Sequence, residues 1–243
     1  MQLAQRLSRA NTLQYRYTLR RVSINAESLK ISPPLIPLYS QPVRLGIVST
    51  SFIQDRRDSP LDSRRGYYNS VDLAYAAGPL GSQSDFLRLL LRNTSYPRVS
   101  KDLIFARTIV FGEEEALRVM SPADDVPLPE RLFGGGADSH RGFPENQAGP
   151  RDLYTGFPIG GKGLLVNGLE LRFPLPSEGL GGVLFLDSGN VYSSLSKLSF
   201  RYTQKNQTDF DYMVHALGFG LRYLTPIGPL RLDLAYSMNS PRF

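Results

Sequence analysis

The chain of 243 residues has no cysteine, no tryptophan, two histidines, few lysines and no long apolar run. Without cysteine it can form no disulfide, no thiolate zinc site and no cysteine nucleophile, which is compatible with an oxidising bacterial envelope. No segment approaches the roughly 20 consecutive apolar residues that a membrane helix needs. A helical membrane protein is therefore excluded, but a strand-built one is not, because its strands are apolar on one face only. The first thirty residues carry no apolar stretch of the kind a secretory leader has. His140 and His215 are the only histidines, and neither stands at metal-ligand spacing from other His, Asp or Glu residues. No serine sits in a nucleophile elbow. No enzyme is expected, and no catalytic, metal or cofactor site. The net charge of +6 comes from basic residues scattered singly rather than clustered with aromatics, so nucleic acid is not an expected partner.

What is present is alternation with a period of two. Leu230, Leu232, Leu234 and Tyr236 face one way, and Arg231, Asp233 and Ala235 the other. Leu217, Phe219, Leu221 and Tyr223 alternate with Gly218, Gly220 and Arg222, and Thr225 to Pro229 supplies a tight turn between the two runs. The same grammar recurs upstream. It predicts strands near 12–26, 42–54, 67–79, 85–97, 101–112, 163–175, 181–193, 211–224 and 229–239. The first loses its phase after Leu19, which predicts a bulge. No segment shows a convincing helical period, so the fold class is all-β.

The face opposite the apolar stripe carries Arg, Gly, Asp and Ala rather than the Lys, Glu, Thr and Ser of a water-facing sheet. Many strands run to about ten residues or more, which suits a tilted membrane strand better than a soluble one. Thirteen tyrosines and thirteen phenylalanines would have to supply the interfacial girdles in the absence of tryptophan. The expectation is an antiparallel transmembrane β-barrel, with a soluble β-sandwich binding module as the alternative. Short turns alternate with long connections. The longest, about 113–161, includes Glu113 to Glu115 and Asp124-Asp125, which read as solvated loop charge. Arg44, Arg88, Arg92, Arg107, Arg172, Arg222 and Arg231 are expected to line a wet interior.

Four strings carry a resemblance. Asp55 to Gly66 follows a D-x-R-D-x-P turn pattern, with Ser63 where a second proline would stand. Phe133-Gly134-Gly135 leads to His140-Arg141-Gly142-Phe143 in the long loop. Phe185-x-Asp187-x-Gly189 precedes Asn190-Val191-Tyr192, and Thr225-Pro226-x-Gly228-Pro229-Leu230 leads to Asp233. In order and spacing these resemble the bacterial surface antigen family, the superfamily of the BamA and TamA assembly barrels and the two-partner secretion pores. His140 departs from the aliphatic residue that the family prefers.

The resemblance implies an outer-membrane barrel of about sixteen strands in a Gram-negative-type bacterium. Its long loop folds inward, with Arg141 meeting Asp187 and Glu170 on the inner wall beside Phe185. Gly142 would adopt a positive φ or approach the wall closely, Phe143 would pack near the wall, and Gly189 closes the strand motif. These seven residues form an expected loop-to-wall lock. The implied function is insertion of β-barrel proteins into the outer membrane, with a secretion pore for one unfolded partner as the alternative. Implied partners are outer-membrane lipid, unfolded outer-membrane proteins, and periplasmic or inner-membrane assembly partners bound through upstream domains. About nine strands are legible, with no POTRA-like repeat, and Ser240-Pro241-Arg242-Phe243 does not continue the ladder. Residues 1–243 are thus expected to be one partial barrel domain that does not close into a functional pore by itself.

Overall fold

A computed structural model describes all residues except 101, 121–124, 226–227 and 243. Asp124, Pro226, Ile227 and Phe243, each used in the sequence reading, lie outside the described residues. The strands are β1 (Gln2–Arg6), β2 (Asn11–Val22), β3 (Val43–Asp55), β4 (Gly66–Ala76), β5 (Phe86–Tyr96), β6 (Ile104–Ala116), β7 (Gly163–Pro174), β8 (Leu180–Tyr192), β9 (Val214–Thr225) and β10 (Gly228–Ser237). They form one antiparallel sheet in sequential order, and among the described residues one short α-helix, α1 (Ile36–Ser40), lies between β2 and β3.

The expected barrel is not formed. β1 and β10 stand at opposite ends of the strand order and do not pair, so the sheet is open. Alternation reveals which way a side chain points; it carries no information on whether two edge strands meet. Among the described residues the strand count is ten rather than about nine, because β1 has five residues, all exposed, and gives no contrast between its faces. There is also no second sheet, so the sandwich alternative fails among the described residues. The bulge expected after Leu19 is absent: Asn11 to Val22 pair one-to-one with Gln54 to Val43. The apparent loss of phase arises because Ile24 already belongs to the packed segment beyond the strand.

The connections fall into two classes by end. Residues 7–10, 56–65, 97–103 and 175–179 join strands at one end, and 23–42, 77–85, 117–162 and 193–213 at the other. The long ones fold back over one face of the sheet and build the core there. Leu132, Phe143 and Ala148 of the longest loop pack on Leu164, Val166, Val191, Tyr212 and Val214. Val126 packs on Leu45, Ile47, Ala74, Ala76 and Phe86. Leu128 joins Leu29 and Ile31 of the 23–42 segment.

The other face is bare and apolar, with Leu217, Phe219, Leu221 and Tyr223 of β9 and Leu230, Leu232, Leu234 and Tyr236 of β10 all exposed. A contiguous apolar surface of this kind is not stable against water and calls for lipid or a partner.

Two arginines sit on the face opposite to that expected. Leu45 and Ile47 are buried under the loops, which turns Arg44 to the bare side, where it bonds Gly81 O and Gln83. Arg107 pairs in register with Leu169 and bonds Asn167 on that same bare side. The glutamate run is not loop either. Glu113 to Glu115 belong to β6, and Glu114 is 1% exposed opposite Arg88. Like charges in sequence alternate between faces in a strand, so the run does not repel as it would in a coil.

Candidate functional site

The loop between β6 and β7 turns back at Gly136 to Phe143, where Gly136 N donates to Phe143 O and Phe143 N to His140 O. His140 is fully buried at this tip. Its Nδ1 accepts from the Gly142 amide at 3.2 Å, so Nε2 carries the proton and donates to Val214 O at 3.0 Å. The departure from an aliphatic residue is therefore built into the tip by two hydrogen bonds. Phe143 meets the His140 ring edge-on at 5.1 Å and lies in the core.

Gly142 does not have a positive φ; its reason is proximity, since a Cβ there would stand 2.6 Å from Ala216 Cβ. Gly189 has φ 152° and no room for a side chain beside Leu165 O.

The tip brings Arg141 onto the sheet. Its Nε and Nη2 donate to Asp187 Oδ2 and Oδ1, both at 2.8 Å, and its amide donates to Oδ2 at 2.9 Å. Nη1 reaches Glu170 Oε1 at 2.8 Å and Asp233 Oδ2 at 3.4 Å. The guanidinium lies 3.4 Å from the centroid of the Phe185 ring, so one face of the cation is covered while Nε, Nη1 and Nη2 all donate to carboxylates along its edge. Glu170 is held in turn by Arg172 at 2.7 Å, and Asp233 by Arg222. Three guanidiniums thus interleave with three carboxylates, and the cluster closes without excess charge. A bidentate arginine–carboxylate pair fixes orientation as well as energy.

The sequence reading named Arg141, Asp187, Glu170 and Phe185, and the structure places them in contact. It did not name Asp233 as a partner, although the alternation of β10 points that carboxylate away from the leucine stripe. Arg172 and Arg222, read as solvating residues, are paired members of the cluster.

A cavity of about 1360 Å³ runs from this cluster to the short-turn end, where Ser63, Arg65, Tyr96 and Arg98 line it. The turn at that end is organised by its own side chains. Asp58 accepts from the amides of Ser59, Arg64 and Arg65, and Arg57 chelates Asp55. Ser63, in place of a proline, bonds Ser59 O at 2.6 Å, and its carbonyl accepts from Arg172 at 3.3 Å. His215 stacks on Tyr202 and meets Ser188 Oγ at 2.8 Å. Among the described residues no group of three or more His, Asp or Glu side chains could hold a metal ion.

A profile of the Omp85 superfamily domain matches residues 1–243. The chain belongs to the Omp85 superfamily. It is 25% identical over 198 residues, 81% of its length, to the outer membrane protein assembly factor BamA of Nitratidesulfovibrio vulgaris, of which it spans 23%. Its fold is similar to BamA from Haemophilus ducreyi lacking POTRA domains 1–3, with a TM-score of 0.74 and 18% identity, over 98% of this chain and 50% of that one. CdiB from Acinetobacter baumannii aligns with a TM-score of 0.51 and 14% identity, over 99% and 38%. The chain therefore spans half or less of the length of these Omp85 relatives. Membership makes it a protein of the Gram-negative outer membrane, related to outer-membrane biogenesis and translocation factors, and not an enzyme.

Proposed function

We propose that the sheet is the membrane-embedded part of an assembly factor that helps insert unfolded β-proteins into the outer membrane. The bare apolar face would meet lipid, and the loop 117–162 would be locked on the covered face through Arg141, Gly142, Phe143, Glu170, Phe185, Asp187 and Gly189. The observation that carries this reading is the guanidinium of Arg141 set between Asp187 and Glu170 in a chain whose curated likeness is to an assembly factor. Insertion of this kind needs no cofactor. Its partners are outer-membrane lipid and unfolded clients, with periplasmic or inner-membrane partners reached through the parts of the longer relatives that this chain does not span.

A second reading is a pore that passes one unfolded partner. The cavity leading from the short-turn end to the Arg141 cluster favours it. Reconstitution separates the two. The purified chain in liposomes should speed the appearance of a heat-modifiable, protease-resistant outer-membrane client over liposomes alone, and Arg141→Glu should remove the gain. Delivery of a client into the vesicle interior supports the pore, and no acceleration of either kind overturns both.

A further inference from the structure

Some distance along the loop from Arg141, a second charged group lies against the sheet with the opposite polarity. Glu130 closes a short 3-10 turn, Leu128–Glu130, its amide donating to Pro127 O at 2.9 Å. Its side chain is 2% exposed. Oε1 accepts from Arg20 Nη2 on β2 at 2.5 Å, and Oε2 lies 3.6 Å from Arg88 Nη1 on β5. β3 and β4 run between those two strands, so one carboxylate ties positions roughly 14 Å apart across the sheet at the usual strand spacing. The floor beneath is small enough to admit it: Ala74, the register partner of Arg88, and Ala76 are fully buried.

The loop is thus tied to one half of the sheet by an acid on arginines and to the other half by an arginine on acids.

The two ties differ in quality. At the tip Arg141 makes five hydrogen bonds. Among the described residues, the Glu130 side chain has only the Arg20 contact within hydrogen-bond distance. Arg88 is ion-paired with two carboxylates at once, 3.6 Å from Glu130 of the loop and 3.7 Å from Glu114 of the neighbouring strand, both just beyond hydrogen-bond distance. Glu114 is buried with both oxygens lacking a hydrogen-bond partner, and so is Arg88 Nε. A buried carboxylate left without donors is costly. A small swing of Arg88 toward Glu114 would satisfy both groups, and it would take from Glu130 one of its two cations.

We infer that Glu130 is a second, releasable anchor of the inward loop, and that Arg88 passes from Glu130 to Glu114 when that anchor lets go. The tip stays fixed while the stretch around 126–133 lifts from the half of the sheet formed by β2 to β6. Release at this end is cheap because the charge it uncovers is taken up by a waiting partner. The inference rests on the loop lock proposed above and adds a positioning residue to it.

Hydrogen–deuterium exchange of the full chain in detergent micelles tests it, reading the 126–133 and 137–143 segments separately. Glu130→Gln should speed exchange in 126–133 roughly tenfold, the factor for one charge-assisted hydrogen bond, and leave 137–143 unchanged. Glu114→Gln removes the alternative partner of Arg88 and should slow exchange in 126–133 below that of the unaltered chain. Unchanged exchange in Glu130→Gln overturns the second anchor, as does equal loosening of both segments, which would mean one undivided lock. Faster exchange in Glu114→Gln overturns the partner exchange. An unprotected 137–143 segment in the unaltered chain would instead sink the Arg141 lock itself, independently of Glu130.

Discussion

Arg141 and Asp187 are joined three times: Oδ2 accepts from both Nε and the backbone amide of Arg141, while Oδ1 accepts from Nη2. The amide bond matters because it ties the carboxylate to the path of the loop backbone as well as to the end of a long side chain. Asp187 is 1% exposed, so its charge has no recourse to water if the loop leaves.

Arg141→Glu should therefore cost about 3–5 kcal/mol, the range for breaking a buried pair from one side. Adding Asp187→Arg should restore part of the loss. Restoration stays incomplete because the new carboxylate still faces Glu170 and Asp233. Urea unfolding of the two single variants and the double variant gives the coupling directly, and purely additive losses would show that the contact does not form.

Close approach at the tip makes a second, steric prediction. A methyl group on Gly142 meets Ala216 Cβ at 2.6 Å and the His140 ring at 3.0 Å, both in packed surroundings. Gly142→Ala should destabilise the docked loop by about 1–3 kcal/mol. Ala216→Gly in the same chain should recover much of it by vacating the contested space. Protease nicking within 126–150 reads the effect, and equal nicking in both variants would refute the steric account.

Much of this was legible from the residues because strands write their faces into sequence. The alternation along β10 and β8 set Asp233 and Asp187 opposite the leucines, and the short string around Arg141 marked the loop tip. Other features were not legible, for reasons of physics. β1 carries one large apolar residue and buries none, so nothing distinguishes it from coil. Arg44 was put on the wrong face because Val43, Leu45 and Ile47 look the same whether an apolar face meets lipid or a covering loop. Glu114 looked like solvated charge, since its partner Arg88 and its neighbour Glu130 come from other parts of the chain. Whether β1 meets β10 is a property of long-range curvature, which no local pattern encodes.

The bare face supplies a test of its environment. Leu232 is 62% exposed near the middle of β10 and pairs with Leu221, also exposed. If lipid covers this face, Leu232→Arg should cost about 2–4 kcal/mol of folding into liposomes. Arg231, its neighbour on the covered face, should tolerate Arg231→Leu with a smaller effect, because its ion pair to Asp138 is exposed. Equal tolerance at both positions would place water on both faces.

Acid should loosen the loop from the 23–42 segment before it unfolds the sheet. Asp152 accepts from Ser32 Oγ at 2.7 Å, from the Ser32 amide at 3.3 Å, and from Thr155. Burial works to raise its pKa, but these donors outweigh it and bring the carboxyl down to about 2 from an ordinary 3.8. The folded state therefore binds the proton less readily than the unfolded one. The stabilisation is fully present above about pH 4 and disappears as the pH falls toward 2. Its size is on the order of 1–2 kcal/mol, because neutral donors rather than a cation hold the carboxylate. Asp152→Ala should remove this step and leave the loop equally exchangeable across the window. Hydrogen exchange at Ser32 and Thr155 between pH 5 and pH 2, corrected for the intrinsic rate, measures it, and a step that persists in Asp152→Ala would assign the titration to another group.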